Sequence, residues 1–298
     1  LTLTLLEKDP KYLLSFEKSR LSTTQREFIF KKIFEKNTAR GIWLSVDSED
    51  LANLVRTREI FDYLLEYVAG KGDFVARYNA IQVVQHYKEF ANNDLIQILL
   101  EYAIDQSENI NVRVISIQAL ARLDVATKGI LDQLSEVTKD KNNIRIQMAF
   151  FQLIGQYNEL DDYIDLLIEA IPLVRFRQNH DNYYISTDSI LEVLEKVKQP
   201  KSVLKIVNFF VEDTNDLIDI YIKDYTPHLV IQAVSANNSE IYDAMRTLLV
   251  KCVTMHYKEP ALQLKHFFIR TDVNSILNTY YNSLYKLNAR LAKLGTTS

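Results

Sequence analysis

The side chains of this chain that could hold a metal or move a proton are few and scattered. His86, His180, His228, His256 and His266 form no HxH or HExxH pattern. Only His256 and His266 lie near one another; Glu259-Pro260 separates them, and nothing supplies a third ligand at helical spacing. Metal binding needs several convergent ligands, so no metal is expected. Cys252 is the only cysteine, which excludes a disulfide within the chain and a multi-thiolate zinc site. It falls on the stripe of Met245, Leu248, Leu249 and Val253, as a small hydrophobe would, rather than in a nucleophile's setting. The carboxylate pairs Glu49-Asp50 and Asp161-Asp162 stand near expected helix starts, where negative charge complements the helix dipole without any catalysis. Gly70-Lys71-Gly72 comes nearest to a phosphate-cradling loop, but it lacks the GxxxxGK[ST] spacing and reads as a turn. These residues predict no catalytic site and no cofactor.

Residues suited to contact are more numerous. There are 17 Tyr and 14 Phe, with Tyr183-Tyr184 and Tyr280, Tyr281 and Tyr285 towards the end. Aromatic rings beside arginine can stack on nucleobases, but on helices they fill cores and make protein contacts. Arg175, Arg177 and His180 fall in the polar stretch 173–182, which shows no helical stripe and is expected to be a long loop. Arg77, Arg113 and Arg145 recur in similar settings. An arginine fork at a fixed place in stacked hairpins suits a bridge to the neighbouring repeat, so these three are expected to be structural.

What must position these residues is helical almost throughout. Six Gly and five Pro are few for a chain of 298, since both punctuate turns and strands. Ser22-Thr23-Thr24-Gln25 has the form of a capping box, opening a helix with Phe28, Ile29, Ile33 and Phe34 on one stripe that ends at Arg40-Gly41. The run 42–46 alternates like a strand but has no partner and is read as a packed loop. Later apolar stripes predict helices over 203–211, 217–222, 229–234, 241–255 and 273–294.

Between residues 73 and 171 the chain repeats. The segments 73–77, 111–113 and 143–145 each place a capping side chain (Asp73, Asn111, Asn143) ahead of an apolar residue and an arginine. Arg77 leads into Ile81-Gln82, and Arg113 into Ile117-Gln118 at the same offset. The partner helices carry Leu95, Leu99 and Ala103; Ile130, Leu134 and Val137; and Ile164, Leu167 and Ile171. A hairpin of this kind cannot bury its face alone and needs its neighbours. The expectation is an all-α, α-solenoid organisation in three parts: residues 1–72 leading in, 73–171 as repeats, and 172–298 as degenerate repeats or capping helices. The polar residues on the second helix of each hairpin, Gln82, Gln85, His86, Gln118 and Arg122, are the ones a concave face would present.

The Asx-x-x-Arg helix openings over 73–171 resemble HEAT repeats. The stretch Glu7-Lys8-Asp9-Pro10-Lys11-Tyr12-Leu13-Leu14, followed by Leu21-Ser22 and the first amphipathic helix, resembles a narrower feature. It is similar to the junction where the NTPase part of bacterial STAND (NACHT-type) ATPases passes into a C-terminal HEAT-like array. That resemblance implies an array that senses a ligand or packs against an NTPase. The chain has no nucleotide-binding residues, so ATPase activity does not carry over.

Composition narrows the function. The net charge of −4 argues against a nucleic-acid grip along the whole length, because such a grip shows as a basic surplus. No apolar run approaches the roughly 20 residues of a membrane span. The apolar start, residues 1–6, lacks the basic lead-in of a signal peptide, and a lone cysteine fits a reducing, cytoplasmic setting. The absence of an initial Met leads to the expectation of a piece of a larger signalling or defence protein. The leading expectation is a non-catalytic, macromolecule-binding solenoid whose partner is a protein or a domain of its own parent chain. The alternative is a HEAT-like nucleic-acid binder or DNA glycosylase, for which Trp43 is the only tryptophan available.

Overall fold

The computed structural model describes residues 21–70, 72–138, 144–157, 159–175, 193–212, 217–255, 261–262 and 264–265. Among them are twelve α-helices, two 3-10 helices and no strand. The α-helices are α1 (Thr23–Thr38), α2 (Ser48–Leu54), α3 (Arg58–Val68), α4 (Phe74–Val84), α5 (Asn93–Ile104), α6 (Ile110–Arg122), α7 (Lys128–Thr138), α8 (Ile144–Ile154), α9 (Ile164–Arg175), α10 (Pro200–Glu212), α11 (Leu217–Ala236) and α12 (Ser239–Thr254). The chain divides into two compact units, Leu1–Asn158 and Glu159–Ser298.

Local chemistry explains where the helices begin. Ser22 and Gln25 make a reciprocal capping box at α1, Asp47 caps α2, Thr57 α3, Asp73 α4, Asn92 α5 and Asn238 α12. Each side-chain oxygen takes a backbone N–H that the first turn leaves without a partner, worth about 1 kcal/mol. The cap of α6 is Asn109, whereas the sequence spacing pointed to Asn111. Asn111 lies inside the helix, where its Oδ1 accepts instead from Arg145 Nη1 at 2.9 Å.

In the first unit the helices pair in chain order, α3 with α4, α5 with α6 and α7 with α8. Like helices also meet: α3 touches α5 and α5 touches α7, while α4 touches α6 and α6 touches α8. The amphipathic α3 turns Ile60, Phe61, Leu64 and Val68 inward. The second helices α4 and α6 are buried nearly all round, because each has a hairpin on either side.

Polar side chains reach back across this packing to the carbonyls that helix ends leave open. Tyr87 donates to Val55 O just past α2, and Tyr102 donates to Val68 O at the end of α3, each at 2.7 Å. The second unit uses the same device. Lys251 on α12 donates to Phe210 O and Val211 O at the end of α10, where a cation also meets the negative end of the dipole.

Two proline segments depart from the sequence reading. The segments 217–222 and 229–234 belong to one helix, α11, with Pro227 inside it. Proline removes one backbone hydrogen bond from a helix, and here a buried pair straddles the gap. Tyr225 donates to Gln232 Oε1 at 2.7 Å, and Gln232 Nε2 donates to Leu194 O and Val197 O. Likewise α9 continues through Pro172 to Arg175, so residues 173–175, expected to be loop, are helical. Pro200 is the first residue of α10, where its missing N–H costs nothing.

Candidate interaction surface

The residues singled out from the first unit converge where α4, α6 and α2 meet. His86 follows α4, Arg122 ends α6, and Ser48 opens α2. His86 Nε2 stands 3.3 Å from Arg122 Nη1 and 3.2 Å from Ser48 Oγ. A guanidinium can only donate, so Nε2 is the accepting nitrogen and the ring proton sits on Nδ1. Burial pushes the imidazole below its ordinary value, and Arg122 pushes it further; Glu49 and Asp47 act in the opposite direction. His86 is therefore neutral at pH 7 and its lone pair is already engaged.

That arrangement bears on catalysis. A hydroxyl beside an imidazole has the outline of a nucleophile and base. Here a cation competes for the same nitrogen, and a base that must accept the serine proton is weakened by it. Ser48 had no signal in the sequence, because it lies 38 residues from His86 on another helix.

Two residues beyond His86, the contact repeats one step along. Lys88 meets Asp124 at 2.6 Å, so two links in succession join residues 36 apart. Both partners of that pair are exposed, and such pairs contribute little to stability. Their value lies in marking the register between successive hairpins. Gln82 and Gln118, also 36 apart, are half-buried on α4 and α6. Gln85 does not belong to the surface. It is 3% exposed, with Nε2 donating to Gln82 O at 2.8 Å. It is the C-cap of α4, a position periodicity alone does not distinguish from the outward face.

The three recurrent arginines have different partners. Arg77 pairs with Glu108 at 3.1 Å and lies over the Tyr102 ring. Arg113, 6% exposed, donates through Nε to Ala103 O at 3.3 Å. Arg145 bonds Asn111, as above. Arg177 and His180 lie outside the described residues, as do His256, His266, Tyr183, Tyr184, Tyr280, Tyr281 and Tyr285. Of Arg175 only the backbone, at the end of α9, is described.

The other candidate residues make the following contacts. Cys252 is fully buried, and burial pushes its thiol up to about 12. His228 sits 3.0 Å from Glu195. Asp161 accepts from the Gln199 backbone N–H, and Asp165 pairs with Lys205 at 2.7 Å. Among the described residues no three His, Cys, Asp or Glu side chains are grouped to hold a metal, and no helix is long and apolar enough to cross a membrane.

No family model, curated protein or solved structure matches this chain.

Proposed function

We propose that this chain is a HEAT-like α-solenoid that binds another macromolecule and performs no chemistry itself, working in the cytoplasm as part of a larger signalling or defence protein. The observation that carries this reading is the step at which side chains brace one hairpin on another. In the first unit the links between hairpins span 28 to 38 residues, among them Lys31–Glu59, Arg77–Glu108, Tyr87–Val55, Tyr102–Val68, His86–Arg122 and Ser48–His86. In the second unit Tyr225–Leu194, Gln232–Val197, Gln232–Leu194, Lys205–Asp165 and Lys251–Phe210 span 31 to 41. A step of about one helical hairpin is what stacked hairpins produce, and such stacks build extended binding surfaces.

The partner is a protein, or a domain of the parent chain, and it docks on Gln82, His86, Gln118 and Arg122. Two half-buried amides and a cation on adjacent helices suit a polar protein contact. The net charge of −4 gives nucleic acid no general attraction.

The test is a pull-down with the purified chain against Arg122→Glu and Gln82→Glu/Gln118→Glu variants of unchanged helical content. Partners retained by the parent chain and lost by the variants support the site. Retention by all variants removes it. A shift of duplex or single-stranded nucleic acid at low salt would favour the glycosylase-like alternative instead.

A further inference from the structure

A second surface lies at the opposite end of α4. Trp43, Phe74 and Tyr78 form one aromatic cluster, with Trp43 edge-on to Tyr78 at 4.4 Å and to Phe74 at 6.3 Å between ring centroids. Trp43 remains 44% exposed, Ile42 48% and Phe74 38%. Large exposed apolar side chains are common singly, but three side by side on a fixed frame are an interface feature. The frame is Asn79, fully buried on α4. It donates Nδ2–H to Ile42 O at 3.0 Å and accepts the Leu44 N–H at 3.2 Å. One amide thus holds both sides of the loop that carries Trp43, so the ring is presented with little ordering left to do on binding.

Beside the cluster is a cleft of about 280 Å³ lined by Glu35, Thr38, Ala39, Gly41, Tyr67, Gly72, Asp73 and Ala76. Sequence ties the two together: Asp73 precedes Phe74, and Gly41 precedes Ile42. The cleft carries negative charge from three sources. Asp73 uses Oδ1 to cap α4, while Oδ2 faces Gly41, where an added Cβ would stand 3.5 Å from it. Glu35 accepts from Tyr63 OH at 3.2 Å and has Lys32 at 3.6 Å on its other oxygen. Thr38 and Ala39 are the carbonyl end of the 16-residue helix α1, the negative pole of its dipole. Among the described residues no lysine or arginine lines the cleft.

We propose that this surface docks a protein segment in which a lysine or arginine stands next to a large apolar residue, the cation entering the Glu35–Asp73 cleft and the apolar side chain covering Trp43 and Phe74. The carboxylates and the helix end supply charge complementarity and charge-assisted hydrogen bonds, and the aromatic platform supplies buried area. Gly41 (φ +60°) and Gly72 (φ +95°) hold conformations that other residues rarely adopt. The proposal extends the reading of the chain as a binding module but uses different residues. Its failure leaves the Gln82–Arg122 surface untouched, and failure of that surface leaves this one.

Trp43 is the only tryptophan, so its fluorescence reports this site directly. Panning a random heptapeptide library on the full chain should enrich sequences pairing Arg or Lys with an aromatic or aliphatic neighbour. Titrating the enriched peptides should change Trp43 emission saturably. A Glu35→Gln/Asp73→Asn variant should weaken that binding about tenfold or more, since charge-assisted contacts are lost. Asn still caps α4 and Gln still accepts from Tyr63, so the fold is kept. Four results would overturn the proposal: enrichment of acidic or uncharged sequences, no enrichment, equal binding by the variant, or a Trp43 change that follows protein concentration alone, which would mean a second copy occupies the site.

Discussion

Replacing Asn79 should loosen the first unit and release Trp43 together. The side chain is fully buried and makes two hydrogen bonds to the 42–44 loop, at 3.0 and 3.2 Å. Each is worth about 1 kcal/mol net, so Asn79→Leu, which keeps the volume, should cost about 2 kcal/mol. Ile42 is exposed and Leu44 half-buried, so the released backbone groups reach water and the ceiling is about 3 kcal/mol. Asn79→Ala adds a small cavity and should cost slightly more. With a urea slope of about 2 kcal/mol/M for a unit of this size, the midpoint should fall by about 1 M. The assay is urea unfolding followed by Trp43 emission, which reads the first unit alone, beside circular dichroism for the whole chain. The folded baseline should also move to longer wavelength, because the indole loses Tyr78 and Phe74. A midpoint within about 0.2 M of the parent, with unchanged emission, would refute the claim that one amide holds this loop.

The His86 imidazole should titrate below 6.5 by NMR, and Arg122→Ala should move it upward by removing the larger of the two cationic causes, Arg56 being the other. The folded chain then binds fewer protons than the unfolded one, so this contribution to stability is intact above pH 6.5 and is lost as pH falls through the lowered value. A titration at or above 6.5 would contradict the burial and the Arg122 contact. A double-mutant cycle of Arg77→Ala and Glu108→Gln should give a coupling of about 1 kcal/mol or more, because both side chains are largely buried; additive effects would show the pair to be incidental. Cys252 should resist iodoacetamide in the native chain and react once denaturant opens the second unit, since its thiol is buried and pushed up to about 12. Labelling at the rate of a free thiol under native conditions would place it at the surface.

The helices were legible because their periodicity and caps are local. Ser22, Gln25 and Asp73 announce helix starts within four residues, and the structure uses them so. Asn111 misled because Asn109 has the same chemistry two residues earlier, and spacing to an arginine does not choose between them. Pro172 and Pro227 misled because a proline within an apolar stripe does not by itself say whether the helix stops or continues through it. The tyrosine surplus also has a partly non-local cause: Tyr87 and Tyr102 each donate to a carbonyl more than 30 residues back. Of the polar surface, His86 and Arg122 were readable as equivalent positions. Ser48, the burial of Gln85 and the Asn79 clamp were not, since each depends on which helices become neighbours.

Site-specific photo-crosslinking tests the binding role most directly. A photoreactive phenylalanine analogue is placed at Gln82 or Gln118, and as a control at Glu101, which is exposed on α5. The chain is then irradiated in extract. Adducts of one defined mass at Gln82 and Gln118, without one at Glu101, are the expected result. Adducts at Glu101 alone, or the same adducts at all three positions, would contradict the proposal that this face of α4 and α6 is where the chain meets its partner.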